Sequence, residues 1–337
     1  MRSYLVDKGA TSLDALHMVE VEQPRPGPGE VLVRLRACSL NFRDQLIVQG
    51  RYPGGIIQHS VVPLSDGAGE VEATGEGVTR FSVGDRVATS FFPKWLTGPQ
   101  PRDVGLPLGY PGDGVLREYG VFHEDALIPV ADSLSFEEAS TLPCAGVTAW
   151  NAVMEGPRPA RPGSRVLILG TGGVSLFALQ LARAAGAEVI ATSSSDEKLE
   201  RCKQLGAAQG INYRATPDWG PAAAQLAGER GIDRVIEVGG NGTLAQSMEA
   251  VGLNGEIALI GVLTHGGDTS PHTLMVKGAT MRGIFVGSRE MAERLNAAIE
   301  TNGIKPVIDK VFPFEQALDA FKYQASAALF GKVVISI

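Results

Sequence analysis

The stretch Gly170-Thr171-Gly172-Gly173-Val174-Ser175 constrains this chain more than any other. It joins an apolar run, Val166-Leu167-Ile168-Leu169, to a helical pattern from about Ser175 to Ala185. A strand that turns tightly into a helix leaves backbone N–H groups converging at the helix start, where the helix dipole also favours an anion. Glycines there let a pyrophosphate approach the main chain, so Gly170, Gly172, Gly173 and Val174 are expected to bind a dinucleotide. Ser175 holds the third glycine position of the pattern, and its small β-carbon is expected to loosen helix–strand packing slightly without closing the site.

A short glycine pattern is weak evidence alone, and its surroundings decide the matter. Downstream, Glu188–Thr192, Ile211–Tyr213, Val235–Val238, Ile257–Ile260 and Met281–Val286 read as apolar strands separated by helical stretches, one of them Asp196–Leu205. That alternation means βαβ units and a doubly wound parallel sheet, an α/β fold. Ligands of such sheets bind at the carboxyl ends of the strands, which nominates Gly239, Gly261, Val262 and Leu263. The first 132 residues differ: Val31, Val33, Leu35 and Ala37 alternate with their neighbours, and short strands follow between glycine turns, as in an antiparallel barrel or sandwich. The expected domains are therefore 1–132, a dinucleotide-binding domain at 133–287, and a tail, 288–337, that returns to the first.

Composition narrows the function. The 337 residues are 44% hydrophobic and 20% charged, which excludes wholesale disorder. A net charge of −7, with no run of Lys or Arg, argues against a nucleic-acid partner. The most apolar stretch, Val166–Ala182, is too short and glycine-broken for a membrane span. Charge within the first eight residues leaves no room for a signal peptide, and three scattered cysteines fit a reducing compartment, so a cytoplasmic location is expected.

Several segments in order, namely Pro26-Gly27-Pro28-Gly29-Glu30-Val31, Asn41-Phe42-Arg43-Asp44, Val83-Gly84-Asp85-Arg86-Val87, Leu142–Ala149, the glycine turn and Gly331-Lys332-Val333-Val334, resemble the medium-chain dehydrogenase/reductase superfamily. The likeness spans nearly the whole chain and is strongest to the zinc-less quinone oxidoreductase and enoyl reductase branch. It implies a GroES-like barrel domain interrupted by a Rossmann domain, with the active site in the cleft between them. Zinc-dependent members place a cysteine where Asn41 stands and a Gly-His-Glu motif where Leu64-Ser65-Asp66 stands, leaving Cys144 alone. A catalytic zinc needs three protein ligands, so no zinc is expected.

Without a metal to polarise a simple carbonyl, conjugated acceptors become the natural substrates, because hydride at their β-carbon spreads charge into an enolate that a hydrogen-bond donor can stabilise. Asn41 is the expected active-site amide, contacting the nicotinamide ribose or a substrate oxygen. Tyr52 matches the tyrosine of an enoyl-thioester reductase segment, where a phenol protonates the enolate; quinone-reducing relatives carry aromatics there without acid chemistry. The resemblance further puts Thr148 near the nicotinamide or its phosphate and backbone groups of Phe285 and Val286 at the carboxamide; Lys332 either reaches the cofactor from the C-terminal strand or is an ordinary surface lysine. The second Rossmann strand ends in Ser193-Ser194 rather than an acidic residue, with Lys198 and Tyr213 beyond it, and this pattern predicts NADPH over NADH.

The expected function is thus an NADPH-dependent, zinc-independent reductase of quinones or α,β-unsaturated carbonyl compounds, working as a homodimer. Two alternatives stand beside it: a zinc-independent NAD(P)-dependent alcohol or carbonyl dehydrogenase, and an NADPH-binding regulatory protein of low activity.

Overall fold

In the computed structural model, which describes residues 1–261, 263–264, 269–326 and 329–337, the chain opens with an antiparallel hairpin of β1 (Arg2–Val6) and β2 (Leu16–Glu20). The ten-residue β3 (Glu30–Ser39) then forms the spine of the first unit. It ends at Ser39, and two residues on Asn41 is the N-cap of the short helix α1 (Phe42–Val48). Then come β4 (Asp66–Thr74), β5 (Arg86–Thr89), β6 (Tyr119–His123) and β7 (Leu127–Pro129), all antiparallel to their neighbours. Residues 93–114 contain no strand or helix, as their Pro and Gly content predicts. Ser135 caps α2 (Phe136–Ala139) by accepting the Glu138 N–H at 3.2 Å, while Glu138 accepts the Ser135 N–H at 2.9 Å.

A π-helical turn, Leu142–Gly146, leads into α3 (Val147–Met154), which carries the chain into the second unit, 148–286. There β8 (Arg165–Leu169), α4 (Gly173–Ala184), β9 (Glu188–Ser193), α5 (Asp196–Gln204) and β10 (Gln209–Asn212) alternate. They are followed by α6 (Trp219–Leu226), β11 (Ile232–Glu237), α7 (Asn241–Ala250), β12 (Val251–Leu259), α8 (His272–Lys277) and β13 (Thr280–Gly283). The six strands are parallel in the order β10-β9-β8-β11-β12-β13. This is the doubly wound 3-2-1-4-5-6 arrangement, with its switch point between β8 and β11. Its central strands are buried on both faces, and each fully buried Val, Leu or Ile contributes about 1.5–3 kcal/mol. Across the same sheet, buried Glu256 pairs with Arg234 at 3.3 Å and Arg282 at 2.9 Å.

The chain then returns to the first unit through α9 (Arg289–Asn302), β14 (Ile308–Pro313), α10 (Ala317–Ala325) and β15 (Lys332–Ser336). Strand β15 pairs antiparallel with β3, Ile335 opposite Cys38, and parallel with β14, the one parallel contact in an otherwise antiparallel sheet. Both expected architectures are present. The segment 133–147, counted above with the nucleotide domain, packs with the first unit: Ser39 Oγ donates to the Ser140 carbonyl at 3.0 Å, and the Cys144 N–H donates to Asp66 at 3.2 Å. The strand expected over Met281–Val286 stops at Gly283. Val286 has φ 56°, a left-handed conformation that no β-branched residue adopts within a strand.

Candidate functional site

In the second unit the glycine turn has the form its sequence predicts. Gly170, at φ 70°, takes the chain out of β8 in a conformation that favours glycine, and its N–H donates to Thr192 Oγ1 at 3.3 Å. Gly172 is the N-cap of the twelve-residue α4, and no heavy atom lies within 4 Å of where a β-carbon would stand at Gly170 or Gly172. The first N–H groups of α4, from Gly173 and Val174 onward, therefore begin beside open space, and this cradle fits a dinucleotide pyrophosphate. Ser175 is fully accommodated: it is buried, and its Oγ donates to the Leu169 carbonyl at 2.7 Å, fastening helix to strand rather than loosening them.

Strand β9 delivers Ser193 and Ser194 to the neighbouring strand end. Ser193 Oγ accepts the Ser195 N–H at 3.2 Å, and the Ser193 carbonyl accepts the Tyr213 N–H at 3.0 Å, which brings Tyr213 against the serine turn. Lys198 lies in the first turn of α5, where its N–H donates to Ser195 Oγ at 3.3 Å. Asp196, in the same first turn as Glu197, accepts from Asn212 Nδ2 at 2.8 Å. Hydroxyls and a lysine are groups that could hold a phosphate.

Around β11 the decisive group is one that sequence reasoning missed. Glu237 is fully buried, and its Oε1 accepts the N–H groups of Gly239 and Gly240 at 2.7 and 2.9 Å and the Thr243 hydroxyl at 2.6 Å; Oε2 accepts from Ser247. One carboxylate thus shapes the turn that carries Gly239. Gly261 crosses directly over that turn, so close that a β-carbon would lie 2.2 Å from the Val238 carbonyl carbon. Leu263 is half exposed beside it, and Val262 lies outside the described residues. Thr148 is buried on α3. Phe285 is exposed, whereas Val286 is buried and its carbonyl accepts from Asn151 Nδ2 at 2.8 Å, the bond that holds its unusual backbone.

In the first unit the candidates converge on the end of β3. Leu40 donates its N–H to the Val333 carbonyl at 3.0 Å, and this pairing sets Lys332 beside Asn41. Lys332 is buried, with Nζ donating to the Leu40 carbonyl at 2.5 Å and to Asn41 Oδ1 at 2.6 Å, and lying 3.9 Å from Asp66 Oδ2. Asp66, fully buried, also accepts from Ser65 Oγ at 2.6 Å. Asn41 is fixed from its other side by Asp44, whose Oδ2 accepts the Asn41 N–H at 2.6 Å. Asn41 Nδ2 is buried and has no hydrogen-bond partner among the described residues. Lys332 thus spends its hydrogen bonds within the first unit, on Leu40 and Asn41. Tyr52 follows the far end of α1, half-buried, with the Arg43 guanidinium 5.1 Å from its ring centre.

The metal expectation needs correction. Residues 27–132 match the alcohol dehydrogenase GroES-like domain, and residues 173–301 match the model described as zinc-binding dehydrogenase. A zinc-type alcohol dehydrogenase-like protein of Schizosaccharomyces pombe is 47% identical over 99% of this chain and 99% of its own. A quinone oxidoreductase of Rattus norvegicus is 29% identical over 94% of this chain and 92% of its own. The crystal structure of a putative alcohol dehydrogenase from Sinorhizobium meliloti superposes with a TM-score of 0.91 at 41% identity, over the full length of both chains. The zinc-binding description of the matching model and the zinc-type name of the yeast relative overturn the expectation of a zinc-free protein. The side chains around Asp66 nevertheless do not fit the ion. Among the described residues no three His, Cys, Asp or Glu side chains converge, burial pushes the Cys144 thiol up to about 12, and the Lys332 amino group stands beside Asp66.

Proposed function

The chain belongs to the medium-chain dehydrogenase/reductase superfamily, and we propose that this oxidoreductase uses NADP(H) to deliver hydride to quinones or α,β-unsaturated carbonyl compounds. The observation that carries the reading is the unpartnered Asn41 Nδ2, held next to the Lys332 amino group. When hydride reaches a conjugated carbon or a quinone, negative charge gathers on oxygen. A fixed, buried amide donor stabilises that charge at no cost in reorganisation.

The bound nicotinamide supplies the hydride; the protein's part is to bind, orient and stabilise. Gly170, Gly172, Gly173 and Val174 cradle the pyrophosphate, and the Glu237-shaped turn with Gly239, Gly261 and Leu263 borders the ribose. Thr148, Phe285 and Val286 orient the nicotinamide ring. Ser193, Ser194, Lys198 and Tyr213 hold the 2′-phosphate, and Asp196 beside them accepts a hydrogen bond from Asn212. Tyr52 is the proton donor to the enolate carbon when the acceptor is an enone. A homodimer is part of the proposal: β13 forms one edge of the parallel sheet, and Met275 and Val276 on the adjoining α8 are exposed.

Steady-state oxidation of NADPH against a quinone, an enone, an enoyl thioester and an aldehyde tests the reading. Turnover of the conjugated acceptors at kcat/KM well above that of the aldehyde supports it. Activity confined to saturated alcohols and their carbonyl products would replace it with an alcohol dehydrogenase.

A further inference from the structure

Asn41 can present either its carbonyl oxygen or its amide nitrogen to a ligand, and the two faces have opposite chemistry: one accepts, the other donates. Which face is offered depends on what holds the other. Lys332 arrives from β15, 291 positions away in sequence, and its Nζ donates to Asn41 Oδ1 at 2.6 Å. An ammonium has three donors and no acceptor, so it bonds only the oxygen of the amide. The remaining contacts fix the lysine itself, through the Leu40 carbonyl at 2.5 Å and the Asp66 carboxylate at 3.9 Å. Asn41 cannot turn as a whole either, because Asp44 holds its backbone N–H. With Oδ1 occupied, Nδ2 is the face left over, and it is the atom that has no partner.

We propose that Lys332 is a positioning residue that sets the orientation of the Asn41 amide, making it an obligate hydrogen-bond donor and selecting acceptors that develop negative charge on oxygen. The inference rests on the proposed reduction of conjugated carbonyls and quinones. It explains why the shortest bonds of a buried lysine go to neutral oxygens, with the Asp66 carboxylate farther off at 3.9 Å. The cation also polarises the amide it holds, which strengthens the N–H donor on the opposite side.

The test is a double-mutant cycle of Lys332→Met and Asn41→Ala, with Lys332→Arg and Asn41→Asp as companions. Asn41→Ala should lower kcat by about 10²-fold, the usual effect of losing a donor to a developing oxyanion. Lys332→Met should lower kcat by at least ~10-fold with little change in the KM for NADPH, and the double variant should be no slower than Asn41→Ala alone. Lys332→Arg keeps a cationic donor and should restore kcat to within about threefold of wild type. Asn41→Asp leaves Lys332 a partner, so it should fold, yet it offers no donor and should be as slow as Asn41→Ala. Multiplying effects in the double variant, or a folded Asn41→Asp variant with wild-type kcat, would overturn the proposal.

A second readout needs no substrate. The side-chain amide ¹⁵N–¹H resonances of Asn41 should shift on Lys332→Met and stay near wild type in Lys332→Arg. Unshifted resonances overturn the Lys332 role even if conjugated acceptors are reduced. Shifted resonances in a protein that reduces no conjugated acceptor would leave the Lys332 role standing and reject the substrate class.

Discussion

Asp44 accepts the Asn41 N–H at 2.6 Å through Oδ2, while its Oδ1, equally buried, has no hydrogen-bond partner among the described residues. Burial is the largest influence on this carboxyl and pushes it up to about 6, against the opposing pull of the Arg43 guanidinium and the Asn41 N–H. A carboxyl that holds its proton more tightly in the native state than in the unfolded chain adds stability below the unfolded pKa. That contribution is lost as pH rises through the folded value. At ~1.4 kcal/mol per pH unit, the rise from 3.8 to about 6 is worth about 3 kcal/mol. The stability of wild type relative to Asp44→Asn should therefore fall by up to about 3 kcal/mol between about pH 4 and pH 7, read from denaturant midpoints. A difference that stays constant over this range would mean that Asp44 does not titrate there.

Gly172 separates folding from binding. Its φ of −79° suits any residue, and nothing stands within 4 Å of an added β-carbon. Gly172→Ala should therefore leave Tm within a few degrees of wild type, yet place a methyl group where the pyrophosphate must approach. NADPH affinity measured by fluorescence titration should weaken by at least ~10-fold, which is about 1.4 kcal/mol. Unchanged affinity would remove the glycine turn from the cofactor site. A collapse in Tm would show instead that the turn is packed in a way the open space does not suggest.

Glu237 makes a different prediction, because both its oxygens are committed. Glu237→Gln replaces one acceptor by a donor, so at least one of the Gly239, Gly240, Thr243 and Ser247 donors faces an N–H instead of an oxygen. An unsatisfied buried polar group costs about 1–3 kcal/mol, and hydrogen bonds to a charged acceptor are stronger than neutral ones. The variant should lose about 2–4 kcal/mol of stability and bind NADPH more weakly, with saturating NADPH recovering part of the Tm. Wild-type affinity in a destabilised variant would confine Glu237 to a structural role.

What could be read from the sequence divides along a physical line. The α/β alternation and the glycine turn are local, so period, turn chemistry and order in the chain suffice to locate β8, α4, β9 and α5 within a residue or two. Lys332 was visible as a residue of interest, but its partner was not: the hydrogen bond to Asn41 spans 291 positions and exists only because β15 pairs with β3. Glu237 carried no local signal, since an acid at the end of an apolar strand looks like any solvated carboxylate until four donors fold around it. The strand expected through Val286 stops at Gly283, and Val286 takes a left-handed backbone whose carbonyl meets the Asn151 side chain, 135 positions earlier. One local signal for Glu237 does exist: in Val235-Ile236-Glu237-Val238-Gly239-Gly240, a lone acid precedes two glycines whose N–H groups need an acceptor.

The proposed preference for NADPH turns on Lys198. Ser193 ends β9 and Ser194 follows it where an NAD-specific site places an acid, and Asp196 accepts a hydrogen bond from Asn212. A 2′-phosphate would then accept from the serine hydroxyls and the Lys198 amino group. A single charge-assisted contact of this kind is worth about 1.5–3 kcal/mol. Lys198→Ala should accordingly cut the ratio of kcat/KM for NADPH over NADH by roughly ten- to a hundredfold, mostly through the NADPH value. Because the 2′-phosphate is remote from the reacting carbon, the loss should fall on KM rather than kcat, and rising ionic strength should narrow the gap between wild type and variant. A wild-type preference for NADH, or a ratio indifferent to the substitution, would move the 2′-phosphate away from this lysine.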